Sequence, residues 1–408
     1  MHDLLPPDSA RWEALVRAFG DHFGRLGFGL VQAPVLEELA VFQRLGEGTD
    51  VVTKEMYAFE DRDGVPIALR PESTAGVARA FIQHHPLLPW KVWYQSQHFR
   101  YERPQAGRYR QHHQLGLECF GVADPDLDVE VVVALWDFYR SLGLRQLRLE
   151  INSIGDPSSR TTYAAQLTEF LAARRGDLHE DDQPKVETHP MRVLDSKHAQ
   201  TQAALTGVPT LADAMTPEAA EHFARTLAGL EAAGLPVTVN PRLVRGLDYY
   251  THTVFEVVSD AIDAAQSTIG GGGRYDGLVE ALGGDPTPGF GFGSGIERVL
   301  LACDAEGVFP VPEPQIDCAV VAFGGDQSDV RDLVRELHRD GFSAVRAYDG
   351  RSPKAQMKVA DRSGARLALL LGDDERAAGT VTIRDLRGDA EQRSVPRDQL
   401  PTELRKLL

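Results

Sequence analysis

Between Phe99 and Gly121 the chain reads FRYERPQAGRYRQHHQLGLECFG, with Arg100, Arg103, Arg108 and Arg110 inside eleven residues and only Glu102 opposing them. Guanidinium groups grip phosphate oxygens through paired, fixed donors and keep their charge at any working pH. One arginine before a turn and another after it suit two phosphates of a bent nucleotide. A solvated hairpin tip, ion-paired through Glu102, is the alternative that these residues alone leave open.

Other stretches carry related chemistry. In the helix that starts at Ile296, the apolar residues Ile296, Val299, Leu300 and Cys303 fall at i, i+3, i+4 and i+7, so Arg298 lies roughly opposite them. The preceding strand is thinned by Gly289, Gly291, Gly293 and Gly295, which lets a flat ligand lie beside Arg298. An exposed helix arginine is the competing reading. GGGGRYDGL (270–278) is neither a P-loop nor a dinucleotide-fold fingerprint, but its glycines permit close backbone approach, with Tyr275 at the edge. In RLVRGLDYYTHTVFEV, Arg245 and Asp248 precede Tyr249 and Tyr250, a set that suits a polar aromatic ligand or plain core packing. The pairs His84-His85 and His112-His113 lack a carboxylate or cysteine at ligand spacing, so no tightly bound protein metal is expected. Neither a Ser-His-Asp nor a cysteine nucleophile arrangement is present.

Positioning these residues falls to recognisable elements. Residues 9–26 read as a helix capped by Ser9, with Trp12, Leu15, Val16, Phe19 and Phe23 at helical spacing. A short apolar strand, Pro34 and an apolar-acidic helix follow. IALRPESTAGVARAFIQH reads as strand, turn and helix, with Pro71 at the turn and Glu72 at the helix start. Residues 90–97 and 115–122 have strand character, which places the arginines on a long hairpin loop centred on Pro104 to Gly107. Residues 128–142 return to helix, and 160–235 are Ala- and Glu-rich without strand alternation, as in a helical insertion. Strands resume at 236. VPEPQ (311–315) marks a linker, and the segment beyond it alternates β, α, β, β. The expected division is a catalytic domain over 1–310, a linker over 311–315 and a compact α/β domain over 316–408.

With 408 residues, several domains are expected. No apolar run approaches the roughly 20 residues of a membrane span, and MHDLLPPDSARWEAL lacks the pattern of a secretion signal. Three cysteines without CxxC spacing predict neither a disulfide framework nor a zinc knuckle, so a reduced cytoplasm is expected. The formal net charge is −17, and from Ile316 onward basic and acidic residues balance at 16 each. The first 315 residues therefore hold 27 basic against 44 acidic side chains, which opposes wholesale wrapping of nucleic acid and makes DNA an unexpected partner. Local contact through Trp90 to Leu115 remains open.

Taken in chain order, the arginine hairpin, the glycine-rich strand and the Arg298 helix resemble motifs 2 and 3 of class II aminoacyl-tRNA synthetases. Gly29 to Glu38, with Pro34, resembles motif 1, the dimer-forming element. LVRGLDYYTHTVFE and GGGGRYDGL are similar to the two histidine-specific signatures of the histidyl-tRNA synthetase family, and HPMRVLDSK and the C-terminal α/β segment also fit. The resemblance covers essentially the whole chain.

It implies an α+β catalytic domain on an antiparallel sheet, interrupted by a helical insertion and followed by an α/β anticodon-binding domain. The implied reaction joins L-histidine to ATP, releases pyrophosphate and transfers the histidyl group to histidine tRNA. Arg100 matches the α-phosphate arginine, and Arg108 with Arg298 the pair on the γ-phosphate, with Glu102 in the ATP site and Mg2+ accompanying ATP. Arg245 matches a family-specific arginine on the carboxylate and α-phosphate. Glu72, Thr74, Gln114 and Glu118 match residues around the α-amino group and imidazole, with Tyr249, Tyr250 and Tyr275 beside them. Gln105 matches the position that reads the extra 5′ guanosine of the tRNA. A cytoplasmic homodimer is expected.

Three departures stand out. Ser73 replaces the usual Gly in RPESTA and is expected to add a hydroxyl beside the substrate carboxylates. His113 is unusual in QHHQ, and the N-terminus lacks the basic Gly-Thr run before Asp3-Leu4-Leu5-Pro6. Two relatives of the fold are rivals: the histidine-sensing regulatory subunit of ATP phosphoribosyltransferase, and an amino-acid ligase without tRNA. The intact LVRGLDYY run and residues 316–408 count against them.

Overall fold

The computed structural model describes residues 3–44, 54–103, 107–194, 196–244, 249–262, 267–313, 316–348, 351–388 and 390–408. Contacts divide the chain into two compact units, Met1–Val311 and Pro312–Leu408.

The first unit is built on an eight-stranded sheet. Its strands are β1 (Gly29–Leu30), β5 (Trp90–Phe99), β6 (Gln111–Phe120), β7 (Leu147–Ser153), β8 (Val237–Val239), β9 (Thr251–Ser259), β10 (Thr268–Arg274) and β11 (Gly289–Gly295). The spatial order is β1-β5-β6-β11-β10-β9-β7-β8. The six inner strands run antiparallel, while β1 and β8 join the two edges in parallel. β2 (Leu36–Glu38), β3 (Tyr57–Glu60) and β4 (Pro66–Leu69) form a separate small sheet. The stretch read as an apolar-acidic helix thus begins as β2 and turns helical only at Leu39–Gln43.

The arginine segment does join a hairpin. β5 and β6 pair from Trp90↔Phe120 to Phe99↔Gln111, so both strands run longer than their aromatic and β-branched cores predict. Alternation along β6 and β11 sorts the two sheet faces. Leu115, Leu117, Cys119, Phe290 and Phe292 face one way, into a core with Leu15, Phe19, Phe23 and Phe138. Each fully buried Phe contributes roughly 1.5–3 kcal/mol, which seats the Asp8–Gly24 and Pro125–Ser141 helices against that face. The first helix starts after Pro7 with no side-chain cap, so Ser9 is inside it rather than its cap. The other face carries Gln114, Glu118, Tyr94 and the glycines of β11.

Arg70 ties the segment around Pro34 to that face. It is almost fully buried and donates from Nε to the Gln97 carbonyl at 2.8 Å and from Nη1 to the carbonyls of Ala33 and Pro34 at 2.7 and 3.2 Å. Between β7 and β8 the chain is helical, from Pro157–Ala172 to Pro217–Ala232, with shorter helices between.

The second unit is a five-stranded mixed sheet of β12 (Cys318–Ala322), β13 (Ala344–Arg346), β14 (Leu367–Leu371), β15 (Thr380–Asp385) and β16 (Arg393–Pro396), ordered β13-β12-β14-β15-β16. Sequence alternation missed β13 and β16, which are short edge strands. Cys119, Cys303 and Cys318 are buried free thiols.

Candidate active site

The glycines of β11 are where the site begins. A Cβ on Gly291 would stand 2.0 Å from Glu118 Oε2, one on Gly289 2.2 Å from the Tyr275 ring, and one on Gly293 2.7 Å from Gln114 Oε1. The strand is thin because three polar side chains from neighbouring elements lie across it. The expectation of a flat platform is therefore met only in part, since Gly293 and Gly295, with Gly270 and Gly271 of β10, also line an open cavity of about 640 Å³. The glycine run of β10 has a second cause as well. A Cβ on Gly272 would meet the Gly291 carbonyl at 2.0 Å, and one on Gly270 the Tyr139 hydroxyl at 2.1 Å.

Glu118 is the centre of a buried cluster. Fully shielded from solvent, it accepts from Thr74 Oγ1 at 2.7 Å, from the Tyr94 hydroxyl at 3.1 Å and from the Tyr275 hydroxyl. Burial pushes its pKa up to about 8 against those three donors. Burial first, and the adjoining carboxylate second, raise the Tyr94 and Tyr275 phenols well above their usual value. Glu72, also buried, accepts from the Thr74 and Ala75 amides at 2.7 and 2.9 Å and so satisfies the start of the Thr74–His84 helix. Burial raises Glu72, with those amide bonds opposing. Tyr249 packs against Tyr250 at a tilt of 39°, with ring centroids 4.7 Å apart, and meets Tyr275 edge-on at 5.8 Å. Tyr250 and Tyr275 are 6.4 Å apart. A carboxylate among phenols and a threonine hydroxyl can bind a small cationic or N–H-bearing ligand.

The 640 Å³ cavity adjoins this cluster through Gln114 and is lined by Arg100, Glu102, Arg108 and Arg298. Arg100 donates from Nε to the Pro71 carbonyl at 2.9 Å, and among the described residues no carboxylate lies within ion-pair distance of it. Arg108 instead forks onto Glu102, its Nη2 at 2.6 Å from Oε1, with Glu55 3.9 Å away. Burial pulls Glu102 up, but Arg108 outweighs it and holds Glu102 below its ordinary value. Glu55 is pushed up to about 7, by burial and then by Glu102. The ion-paired reading of the hairpin thus holds for Arg108, while Arg100 has no carboxylate at ion-pair distance among the described residues. Arg298 bonds the Gly107 carbonyl at 2.9 Å through Nε and the Thr268 carbonyl at 3.0 Å through Nη1, so the helix after β11 holds the residue next to Arg108. Its position beside the cavity, rather than on an open helix face, follows from those bonds. Arg245 and Gln105 lie outside the described residues.

Sequence reasoning missed several partners. Tyr94, Ser96 and His98 share one face of β5, and period-two alternation of polar residues was the available signal. The Ser73 hydroxyl lies 2.7 Å from both Ser96 Oγ and His98 Nε2. Burial keeps His98 neutral by lowering its pKa well below the usual value. Ser73→Ala should therefore cost roughly 1–3 kcal/mol of stability, the worth of the two buried hydrogen bonds it removes. Its KM for the ligand of the Glu118 cluster should stay within about twofold, because the hydroxyl bonds Ser96 and His98 and is not among the donors to that carboxylate. Thermal unfolding and steady-state kinetics would check both halves. His113 receives its role from Glu297, whose carboxylate bonds its ring Nδ1 at 2.8 Å and its amide at 3.1 Å.

Comparison with known proteins follows the same lines. A family model described as "Histidyl-tRNA synthetase" matches residues 1–299, and one described as "Anticodon binding domain" matches residues 317–407. The "Histidine--tRNA ligase" of Saccharopolyspora erythraea is 46% identical over 413 residues, spanning 100% of this chain and 97% of that protein. Among solved structures, apo histidyl-tRNA synthetase of S. aureus is similar at a TM-score of 0.84 and 34% identity, covering 99% of this chain and 98% of its own. A Bacillus halodurans C protein described as an ATP phosphoribosyltransferase regulatory subunit/histidyl-tRNA synthetase shares the fold at a TM-score of 0.65 and 20% identity, over 91% and 97% of the two chains.

Proposed function

The chain belongs to the histidyl-tRNA synthetase family, and from that premise we propose which side chains carry each part of its reaction. It is a class II histidine–tRNA ligase, with a catalytic domain on a mostly antiparallel sheet and a C-terminal α/β anticodon-binding domain, and it uses ATP. Full-length relatives and the retained anticodon-binding domain set it apart from the histidine-sensing regulatory subunits.

In the first step the carboxylate of histidine attacks the α-phosphorus, the bond to the β-phosphate oxygen breaks, and pyrophosphate leaves. The carboxylate is already ionised at neutral pH, so the step needs alignment and positive charge rather than a base. Arg100 takes the α-phosphate, where charge builds as the new bond forms. Arg245 joins it from the side of the amino acid. Arg108 and Arg298 hold the γ-phosphate end, Arg108 exchanging Glu102 for phosphate. Glu102 and Glu256 on the cavity wall offer the oxygen donors that Mg2+ accompanying ATP prefers, and the ion would neutralise phosphate charge there. In the second step a ribose hydroxyl at the tRNA 3′ end attacks the histidyl carbonyl and AMP leaves.

Histidine sits in the Glu118 cluster. Glu72, Thr74, Gln114, Tyr249, Tyr250 and Tyr275 surround its amino group and ring, and their hydrogen bonds would be left unmade by an analogue lacking those groups. Gln105 meets the 5′ end of the tRNA. Exposed Leu30, Val35 and Leu36, at 56, 36 and 47% exposure, favour a homodimer built on the segment around Pro34. We assign 1–310 to the catalytic domain, 311–315 to a linker and 316–408 to the anticodon-binding domain, working in the cytoplasm. No helix among the described residues is long and apolar enough to cross a membrane.

The Arg298–Gly107 bond supports this reading most directly, because it draws the hairpin arginines and the helix arginine around one cavity. Histidine-dependent ATP–pyrophosphate exchange separates the two subsites. Tyr275→Phe removes a donor from a buried carboxylate and should raise the histidine KM about ten- to hundredfold while leaving the ATP KM within about twofold. Arg298→Ala should do the reverse. A Tyr275→Phe enzyme impaired for ATP, or an Arg298→Ala enzyme impaired for histidine, would refute the assignment.

A further inference from the structure

A second group of potential ligands lies in the helical segment between β7 and β8, and none of its three side chains lines the arginine cavity, although Leu194, Lys197 and Gln202 of the same segment do. We propose that His179, Asp181 and His198 form a binding site for a borderline divalent transition metal, with Zn2+ as its probe. His179 Nδ1 and His198 Nε2 each lie 3.5 Å from Asp181 Oδ2, and the three ligand atoms all fall within 4.8 Å of one another.

The separations argue for a metal over a plain ion pair. Hydrogen-bonded ion pairs close to about 2.7–2.9 Å. At 3.5 Å both imidazole–carboxylate contacts stop short of that. Donors about 2.1 Å from a tetrahedral zinc, however, stand about 3.4 Å apart. Two edges of the ligand triangle thus already have the tetrahedral length. The imidazoles are stacked, with centroids 3.6 Å apart and planes within 4° of parallel. Because imidazole donates in its ring plane and these planes are parallel, binding requires at least one ring to rotate substantially so that the two lone pairs converge, for which side-chain exposures of 31 and 41% leave room. It also requires His179 Nδ1 to give up its long contact, at 3.3 Å, with the Asp181 amide.

The backbone that carries the three ligands is held from beneath. Asp182, 1% exposed at its side chain, accepts from Lys185 Nζ at 2.8 Å, Ser196 Oγ at 2.5 Å and Thr201 Oγ1 at 2.8 Å. Ser196 Oγ accepts in turn from the His198 amide at 3.2 Å, and Thr201 Oγ1 from the His179 amide at 3.0 Å. One buried carboxylate therefore cross-links the 179–182 and 196–201 segments and sets His179, Asp181 and His198 side by side above it. Two imidazoles and one carboxylate favour Zn2+, Ni2+ or Cu2+ over Mg2+, which prefers an all-oxygen shell. The site would accordingly be indifferent to the Mg2+ that accompanies ATP.

Calorimetric titration of the full chain with Zn2+, in millimolar Mg2+, tests the proposal. One zinc per chain should bind to the wild type, and His179→Ala, His198→Ala and Asp181→Asn should each weaken it at least about tenfold, as expected when one of three ligands is lost. His84→Ala/His85→Ala, in an exposed pair elsewhere, should bind as the wild type does. Co2+ substitution should give a visible d–d band in the wild type that the His179→Ala chain lacks. A wild type that takes up no more zinc than His179→Ala, or a band unchanged by all three substitutions, would overturn the site. Because these side chains are partly exposed, the variants should fold, which their circular dichroism would verify.

Discussion

Arg100→Ala is expected to slow histidine-dependent ATP–pyrophosphate exchange by about a hundred- to thousandfold, the usual loss when one donor to a developing oxyanion is removed. The reason lies in how the three cavity arginines are held. Arg108 is already neutralised by Glu102, and Arg298 is bound to two carbonyls. Arg100 is fixed through Nε to the Pro71 carbonyl, and among the described residues it has no carboxylate at ion-pair distance. Its charge therefore has no ion-pair partner among the described residues, and it is anchored so that little reorganisation is needed when substrate arrives. The loss should fall mainly on kcat, since the interaction strengthens as the transition state forms. Arg108→Ala should fall more on the ATP KM, because its ground-state gain is net of a broken Glu102 pair. Stability should change by only about 1 kcal/mol, one carbonyl hydrogen bond. Unimpaired exchange by a folded Arg100→Ala enzyme would remove it from the mechanism, leaving Arg245 as the proposed source of charge at the α-phosphate.

Legibility in the sequence differed by element for physical reasons. The β5–β6 hairpin was readable because aromatic and β-branched residues flank a Pro-Gln-Ala-Gly tip, and the helix starting at Ile296 because its apolar stripe repeats at 3.6 residues. The short edge strands β13 and β16 carried too few alternations to register. Glu118 and Thr74 were singled out only through family resemblance. Nothing in their own neighbourhood announces a hydrogen bond across 44 positions. Tyr94 and His98 were lost because polar residues on a buried strand face look like ordinary alternation until their partners fold against them. Ser73 shows the opposite limit. Its identity stands out in the sequence, but its bonds to Ser96 and His98 depend on a side-chain direction that spacing cannot supply. His179 and His198 lie 19 positions apart in sequence and meet because Asp182, with other bonds between their segments, draws those segments together.

The glycines of β11 were legible as glycines but not for their purpose, and Gly291→Ala puts that purpose to the test. An alanine there would place its Cβ 2.0 Å from Glu118 Oε2 and 2.4 Å from the Leu117 carbonyl oxygen. The carboxylate is held by three donors and the carbonyl belongs to the paired backbone of β6, so neither can step aside cheaply. Overpacking alone costs about 1–3 kcal/mol, and displacing a buried carboxylate from its donors adds about 1–3 kcal/mol more. The variant should lose roughly 2–6 kcal/mol of stability on those two terms. In whatever fraction still folds, the histidine KM should rise more than about tenfold. Gly277→Ala provides the control, since a Cβ there meets nothing within 4 Å and the backbone already has φ −88°. It should change stability by less than about 1 kcal/mol, in the stabilising direction if at all. If Gly291→Ala unfolds at the wild-type temperature and keeps the wild-type histidine KM, the glycines are not what makes room for Glu118. The strand would then owe its thinness to the cavity on its far end, where Gly293 and Gly295 open toward Arg298.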